Sequence, residues 1–370
     1  MSNSSLQAKI KYNSFTIWEF NSENIIQLKD GSILLFTSSQ ILHLNKIFNI
    51  TILIDFKGEY STRSIKQLKN DKILVCNKNL YELDIKGKTI KTIYFSEKNM
   101  TFYDIIQLKN GEIIGITDNN IVTIELKDDD FHKGKFNHIY KIPGEFKLHE
   151  GIYYNDKNYS NLYLLEGNKL LVHSFRAHND NRSKCGNCRR TPYYSNIIFA
   201  FNLDTFEIIH KFNHFNNEIN IVDLKKYICI SYYSEIYIYD INDFKKIKEI
   251  SLNNNYYEDI YIFKYNEDKL IVTTKNISNN KIAIFDLSNI NDIQFSLFIN
   301  NYNFAGNSYL YSRELFKNKL IYKLNDSKIL INIFPFIFIF ELPKYYEFQS
   351  FDEDKNKNIL NNTIKDEDYY

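Results

Sequence analysis

Four side chains in one short stretch could share a metal ion. His173, His178, Cys185 and Cys188 fall within 16 residues, and Cys185-Gly186-Asn187-Cys188 is a C-x2-C turn. Such a turn brings two thiolates to one tetrahedral ion, and histidine at a third or fourth corner completes a structural zinc site. His178 is expected in the same loop as the cysteines, while His173 closes a strand run and His149 is a distant substitute. A single C-x2-C is half of the usual pattern, so the competing reading is a solvated loop with free thiols. A redox pair would sit at a helix N-terminus in a βαβ setting, and nothing helical follows here.

The same stretch is basic. Arg176, Arg182, Lys184, Arg189 and Arg190 stand against Asp180 alone, and Tyr193 and Tyr194 follow. Guanidinium forks suit phosphate or carboxylate groups, and aromatic rings beside them can stack on bases. Two readings compete with this nucleic-acid or phospho-ligand site: a plain solvated loop, and a partner-binding loop. Asp128-Asp129-Asp130 lacks the alternate-position spacing of a calcium loop and reads as a solvated turn. Cys76 and Cys229 lie in apolar runs and are expected to be buried, inert packing residues.

No catalytic constellation is visible. There is no G-x-S-x-G turn, no G-x-x-x-x-G-K-[ST] loop and no H-E-x-x-H. This lowers the expectation of an enzyme without removing it, because a site gathered from several repeats escapes a linear reading.

The elements that must position these residues are strands. The chain has 370 residues with 29 Tyr and 29 Phe, 48 Asn, 11 Gly, 4 Pro and only 5 Ala. Scarce alanine and abundant aromatic and β-branched residues argue against helical bundles and helical solenoids. Net charge is +1, so there is no global pull toward nucleic acid or anionic membrane. The longest apolar stretch, Ile329 to Leu342, is shorter than the about 20 residues a membrane helix needs. No apolar core marks residues 1–13 as a secretory signal, and four cysteines are no disulfide framework. A soluble, cytoplasmic protein that carries no membrane anchor is expected.

A repeat sets the architecture. Ile25-Ile26-Gln27-Leu28-Lys29-Asp30-Gly31, Ile65-Lys66-Gln67-Leu68-Lys69-Asn70-Asp71 and Ile105-Ile106-Gln107-Leu108-Lys109-Asn110-Gly111 place their leucines 40 residues apart, twice in succession. Each precedes a second apolar run, then a third and a fourth, and the turn pairs between them signal tight hairpins. Four short strands in about 40 residues is the size of one β-propeller blade. The pattern continues in weaker form to Leu342 and gives seven units. The expected fold is all-β: a seven-bladed β-propeller of four-stranded antiparallel blades over residues 14–351, with a loop insertion at about 174–195. A flexible segment, 1–13, and a disordered charged tail, 352–370, flank it. Closure is expected by pairing of the chain ends, with Phe15 to Phe20 preferred over Tyr345 to Phe348 as the outer strand of the last blade. With so few glycines, the turns are expected to use Asn and Asp, which bond their own backbone.

The strand ends Ile236 to Ile241 and Lys281 to Leu287 resemble the end of WD-repeat blades. Tyr239-Asp240 and Phe285-Asp286 stand where that family has its Trp-Asp pair, while the family's Gly-His pair is missing. The bias to Asn, Ile, Lys and Tyr resembles that of WD-repeat-like proteins from AT-rich protists and giant amoebal viruses. The resemblance and the absence of an active-site motif imply a monomeric, non-catalytic scaffold for protein partners without a cofactor, apart from the candidate zinc. The alternatives are a propeller hydrolase or lyase with a site in the central channel, and a nucleic-acid or phospho-ligand binder acting through the basic loop. Tyr256-Tyr257 and Tyr153-Tyr154 are expected exposed contacts, whereas Tyr237 and Tyr239 are expected to pack between sheets.

Overall fold

A computed structural model of the chain describes segments between Ile10 and Ser350; residues 1–9, 143–157, 180–191, 253–259, 300–320, 342–348, 351–370 and several shorter connections lie outside the described residues. The described residues form antiparallel sheets and no helix, so no helix is long and apolar enough to cross a membrane.

The first sheet is built from Ser22–Gln27, Ile33–Thr37, Gln40–Leu44 and Ile50–Asp55. The second has Ser64–Gln67, Ile73–Cys76, Leu80–Asp84 and Thr89–Ile93. The third has Phe102–Gln107, Ile113–Thr117, Asn120–Leu126 and Gly134–Lys141. The fourth has Asn158–Leu165, Lys169–Asn179, Pro192–Asn202 and Glu207–Lys211. In each, the strands lie side by side in chain order. These four sheets form one compact unit together with a further sheet, in which Ile321–Asn325, Lys328–Ile333 and Phe336–Glu341 are joined by Phe15–Glu19 and Ile10–Tyr12. Phe15 pairs with Phe340 and Glu19 with Phe336, so the N-terminal candidate supplies the fourth strand of that sheet. Tyr345 to Phe348 lies outside the described residues.

The second unit holds two sheets. One is Ile219–Asp223, Tyr227–Tyr232, Glu235–Asp240 and Lys246–Ser251; the other is Ile260–Lys264, Lys269–Thr274, Lys281–Asp286 and Gln294–Ile299, extended by Gln349–Ser350.

The apolar runs explain the stacking of sheets. Ile73–Cys76 is buried along its whole length. Ile73 and Val75 pack with Leu34 and Phe36 of the first sheet, while Leu74 and Cys76 pack with Phe102 and Val122 of the third. Successive side chains of one strand thus feed two different cores, as the period of two requires. Ile114 and Ile116 repeat the device toward Val172 and Phe199 of the fourth sheet. In the second unit Ile238, Ile262, Val272 and Phe285 share one core. The outer strand Glu207–Lys211 alternates instead, every second residue being exposed.

Turn chemistry follows the Asn and Asp expectation. The side-chain oxygens of Asp30, Asn110, Asp240 and Asn266 each accept the backbone N–H two residues on, at 2.7–3.0 Å. In the three Gln-Leu-Lys repeats the fourth turn residue has positive φ: Gly31 at 86°, Gly111 at 95°, and Asp71 at 66° where glycine would be unstrained.

Two expectations change. The described ends of the expected insertion, 174–179 and 192–195, are strand: Lys169–Asn179 and Pro192–Asn202 pair without a register shift out to Asn179 opposite Pro192, while residues 180–191 lie outside the described residues. Part of the N-terminal segment read as flexible is also paired, Ile10–Tyr12 lying on Phe15–Glu19.

Candidate functional site

The candidate metal and ligand residues are only partly within the described structure. His178 belongs to the strand Lys169–Asn179, opposite Tyr193, rather than to a loop. Arg176 pairs with Ser195, and Tyr194 with Ala177. Arg182, Lys184, Cys185, Cys188, Arg189 and Arg190 lie outside the described residues, as do Asp128 to Asp130. Among the described residues no group of three or more His, Cys, Asp or Glu side chains is placed to hold a metal ion. His173 is 2% exposed, mid-strand, and its Nε2 lies 3.0 Å from Asn196 Oδ1. Burial pulls its pKa down to about 4, against a smaller upward pull from the Asn196 bond. It is therefore a neutral interior histidine at neutral pH. Cys76 and Cys229 are buried, and burial pushes the Cys229 thiol well up, away from reactivity.

The polar side chains that the fold does bring together sit between neighbouring sheets. The backbone N–H of Lys29 donates to Gln67 Oε1 at 2.7 Å, and that of Lys69 donates to Gln107 Oε1 at 2.6 Å. The ammonium of Lys29 donates to the carbonyl of Lys69 at 2.7 Å, and the ammonium of Lys69 to the carbonyl of Lys109. The repeated Gln-Leu-Lys motif is thus a lateral ladder: each sheet's turn is bonded through the Gln and Lys of its neighbour. Lys29 also meets the Asp71 carboxylate at 2.7 Å. The ladder ends at the fourth sheet, where Leu164, paired with Leu170, takes the place that Gln107 holds opposite Ile113.

A second junction is buried. Asp104, on the first strand of the third sheet, is 2% exposed. Its carboxylate accepts from the Ser64 hydroxyl of the second sheet, from the Leu162 N–H of the fourth at 2.8 Å, and from its own neighbour Ile105 N–H at 2.9 Å. Lys66 Nζ stands 3.5 Å away. One carboxylate thereby joins the first strands of three consecutive sheets. In the second unit Asn220 Oδ1 accepts the Ile262 N–H at 3.1 Å, the same strand-to-strand bond in amide form. With its lone pairs committed to these donors, Asp104 is suited to holding the fold and not to moving protons.

No protein-family model matches the chain, and no curated protein matches its sequence. Solved structures do match. Virginiamycin B lyase from Staphylococcus aureus aligns over 89% of this chain and 100% of its own, at 14% identity and a TM-score of 0.54. The Pan2 WD40 domain from Neurospora crassa aligns over 88% of this chain and 90% of its own, at 10% identity and a TM-score of 0.55. The chain has a WD-repeat-like β-propeller fold. At these identities the likeness concerns the fold alone. The ladder and the Asp104 junction are contacts between neighbouring blades of that fold. A catalytically inactive histidine-to-alanine variant of the same lyase, solved with quinupristin, aligns equally well, at 15% identity and a TM-score of 0.54.

Sequence reading missed both junctions. The signal for the ladder was present: Gln and Lys recur at fixed positions of repeats whose equivalent strands become neighbours. The signal for Asp104 was a single acid inside Phe102-Tyr103-Asp104-Ile105-Ile106.

Proposed function

We propose that this chain is a non-catalytic, seven-bladed propeller, closed by the strand Phe15–Glu19, that holds its connections rigid for protein partners. The observation that carries the reading is the blade-to-blade bonding of the repeated motif. Side chains at Gln67, Gln107, Lys29 and Lys69 are spent on fixing neighbouring blades to each other. A rigid frame lowers the ordering cost that a displayed loop would otherwise pay on binding. The chemically distinctive connection, residues 180–191 with Arg182, Lys184, Arg189 and Arg190, leaves the longest hairpin of the fourth blade. It is the first place to seek a protein contact. The test is affinity capture with the full chain and with a variant in which residues 180–191 are replaced by a short Gly-Ser turn. A partner retained by the first and lost from the second is expected; recovery of the bare chain in both cases refutes the reading.

A second reading, a hydrolase or lyase acting in the central channel, is favoured by the likeness to virginiamycin B lyase. It is tested by incubating the chain with virginiamycin B and following the antibiotic by chromatography. Catalytic loss of the antibiotic would support that reading, and its survival would count against this substrate. A nucleic-acid role for the basic connection predicts binding to single-stranded oligonucleotides that weakens steeply with salt; no binding at low salt ends it.

A further inference from the structure

In the second unit, Tyr232 pairs with Glu235, so the strands Tyr227–Tyr232 and Glu235–Asp240 are joined by only two residues, Tyr233 and Ser234. The first of these turn positions takes positive φ and normally belongs to Gly or Asn. Here it is tyrosine, with φ at 53°. A bulky side chain in that region is disfavoured, and the surrounding structure must hold it there. It does so through the backbone: the Ile260 N–H donates to the Tyr233 carbonyl at 2.8 Å and the Leu252 N–H to the Ser234 carbonyl at 3.0 Å. The strained ring nonetheless serves no core, because Tyr233 is 40% exposed.

Other rings stand behind it. Tyr233 meets Tyr232 edge-on at 4.5 Å between centroids; Tyr232 meets Phe215 at 5.2 Å and Tyr237 at 6.5 Å. An exposed aromatic backed by packed aromatics is already ordered before anything binds, which is what anchor residues at interfaces require. The same cluster shows what it can hold. Lys246 Nζ lies 5.0 Å over the Tyr237 ring and 2.8 Å from Glu249 Oε2, a cation seated on a ring and matched by a carboxylate. Glu235 accepts the Tyr237 hydroxyl and acts on the Lys246 ammonium through space, with no close ion pair among the described residues.

We propose that Tyr233 and Glu235 form a docking point for an arginine side chain of a protein partner. The planar guanidinium stacks on the exposed Tyr233 ring while Glu235 supplies the counter-charge. The proposal shares with the scaffold reading only the premise that the partner is a protein. A peptide measurement is independent of capture from cells, so the two can fail separately.

The probe is a heptapeptide of Gly and Ser with one central arginine, and its glutamine counterpart. Each is titrated to millimolar concentration against the full chain and read by saturation-transfer NMR. The arginine side-chain protons are expected to receive the strongest saturation, with the glutamine peptide about fivefold weaker or silent. Tyr233→Gly should cut the signal about fivefold while leaving the melting temperature unchanged or higher, because glycine relieves the turn. Tyr233→Phe, which keeps the ring, should retain it. Glu235→Gln should weaken binding and flatten its salt dependence. Equal transfer to both peptides, none to either, or an unaltered signal in Tyr233→Gly overturns the proposal. If Tyr233→Gly fails to fold, Tyr233→Asn makes the same test, since Asn tolerates that backbone.

Discussion

Replacing Asp104 by alanine should destabilise the chain by about 3 kcal/mol. The Leu162 N–H loses its acceptor at a residue that is 3% exposed. A buried donor left without a partner costs about 1–3 kcal/mol, so about 2 is assigned to it. The Ser64 hydroxyl, at a residue 9% exposed, can rotate toward other acceptors and adds about 1 kcal/mol. Lys66 at 3.5 Å is one-third exposed, so its ion pair adds only a few tenths. Asp104→Asn keeps the size and one acceptor but presents an NH2 to a donor, so its loss should be smaller. The assay is urea unfolding at constant pH and salt, with the slope unchanged and the midpoint lowered. Ser64→Ala closes a double-mutant cycle in which the two losses should couple by at least about 0.5 kcal/mol. Amide exchange at Leu162 should accelerate in Asp104→Ala. A loss below about 1 kcal/mol, additive single losses, or unaltered Leu162 exchange would refute the view that this carboxylate joins the blades.

Three further outcomes are expected. His173 is held neutral with its pKa lowered from 6.5 to about 4, so the unfolded chain binds a proton there that the folded chain refuses. That contribution is fully present above pH 6.5 and is lost as pH falls toward 4, by about 3 kcal/mol in all; His173→Gln should flatten the pH dependence of unfolding in that window, and an unchanged slope would count against it. Asp71→Gly exchanges a strained φ of 66° for the geometry of Gly31 and Gly111 and gives up the exposed bond to Lys29. The net should be a gain of about 0.5 kcal/mol, and a lowered unfolding midpoint would contradict it. If Cys185, Cys188 and His178 close a zinc site at the end of the fourth-blade hairpin, elemental analysis should find about one zinc per chain, absent from the Cys185→Ser, Cys188→Ser variant; metal-free wild type ends the idea.

The strands were legible because their signals are local. Ile33 to Phe36 or Ile73 to Cys76 could only be strands buried on both faces, and Asp30-Gly31 or Asn110-Gly111 could only be turns. The long fourth-blade hairpin was hidden because Arg176, His178 and Asn179 look like loop residues, and backbone pairing with Tyr194, Tyr193 and Pro192 does not depend on side-chain polarity. The junctions were hidden for another reason. A hydrogen bond between Asp104 and Leu162 spans 58 residues, and nothing in the apolar rhythm around either residue announces it. Tyr233 escaped notice because a bulky aromatic stands at the turn position where Gly or Asn would signal positive φ. The aromatic pairs expected to be exposed, Tyr153-Tyr154 and Tyr256-Tyr257, lie outside the described residues. Of the pair expected to pack, Tyr239 is buried and Tyr237 is half-buried within the Tyr232 cluster.

The Gln and Lys ladder also gives the chain a timetable. Its bonds join residues 38 and 40 apart, always from one repeat to the next. A ribosome delivering this chain N-terminus first therefore releases, with each repeat, the partner that the previous repeat is waiting for. Loop closure over such distances is cheap and fast compared with closure over the whole chain. The strand Phe15–Glu19 has no such neighbour: its partner, Phe336–Glu341, emerges only after the blades that lie between them in the chain. Its apolar Phe-Thr-Ile-Trp segment is left waiting while the early blades assemble behind it. In refolding of the full chain the same difference in closure distance should leave the Lys29 and Lys69 amides protected well before that of Ile17 in pulsed hydrogen exchange, and simultaneous protection would show that repeat-to-repeat closure does not precede pairing of the distant strands.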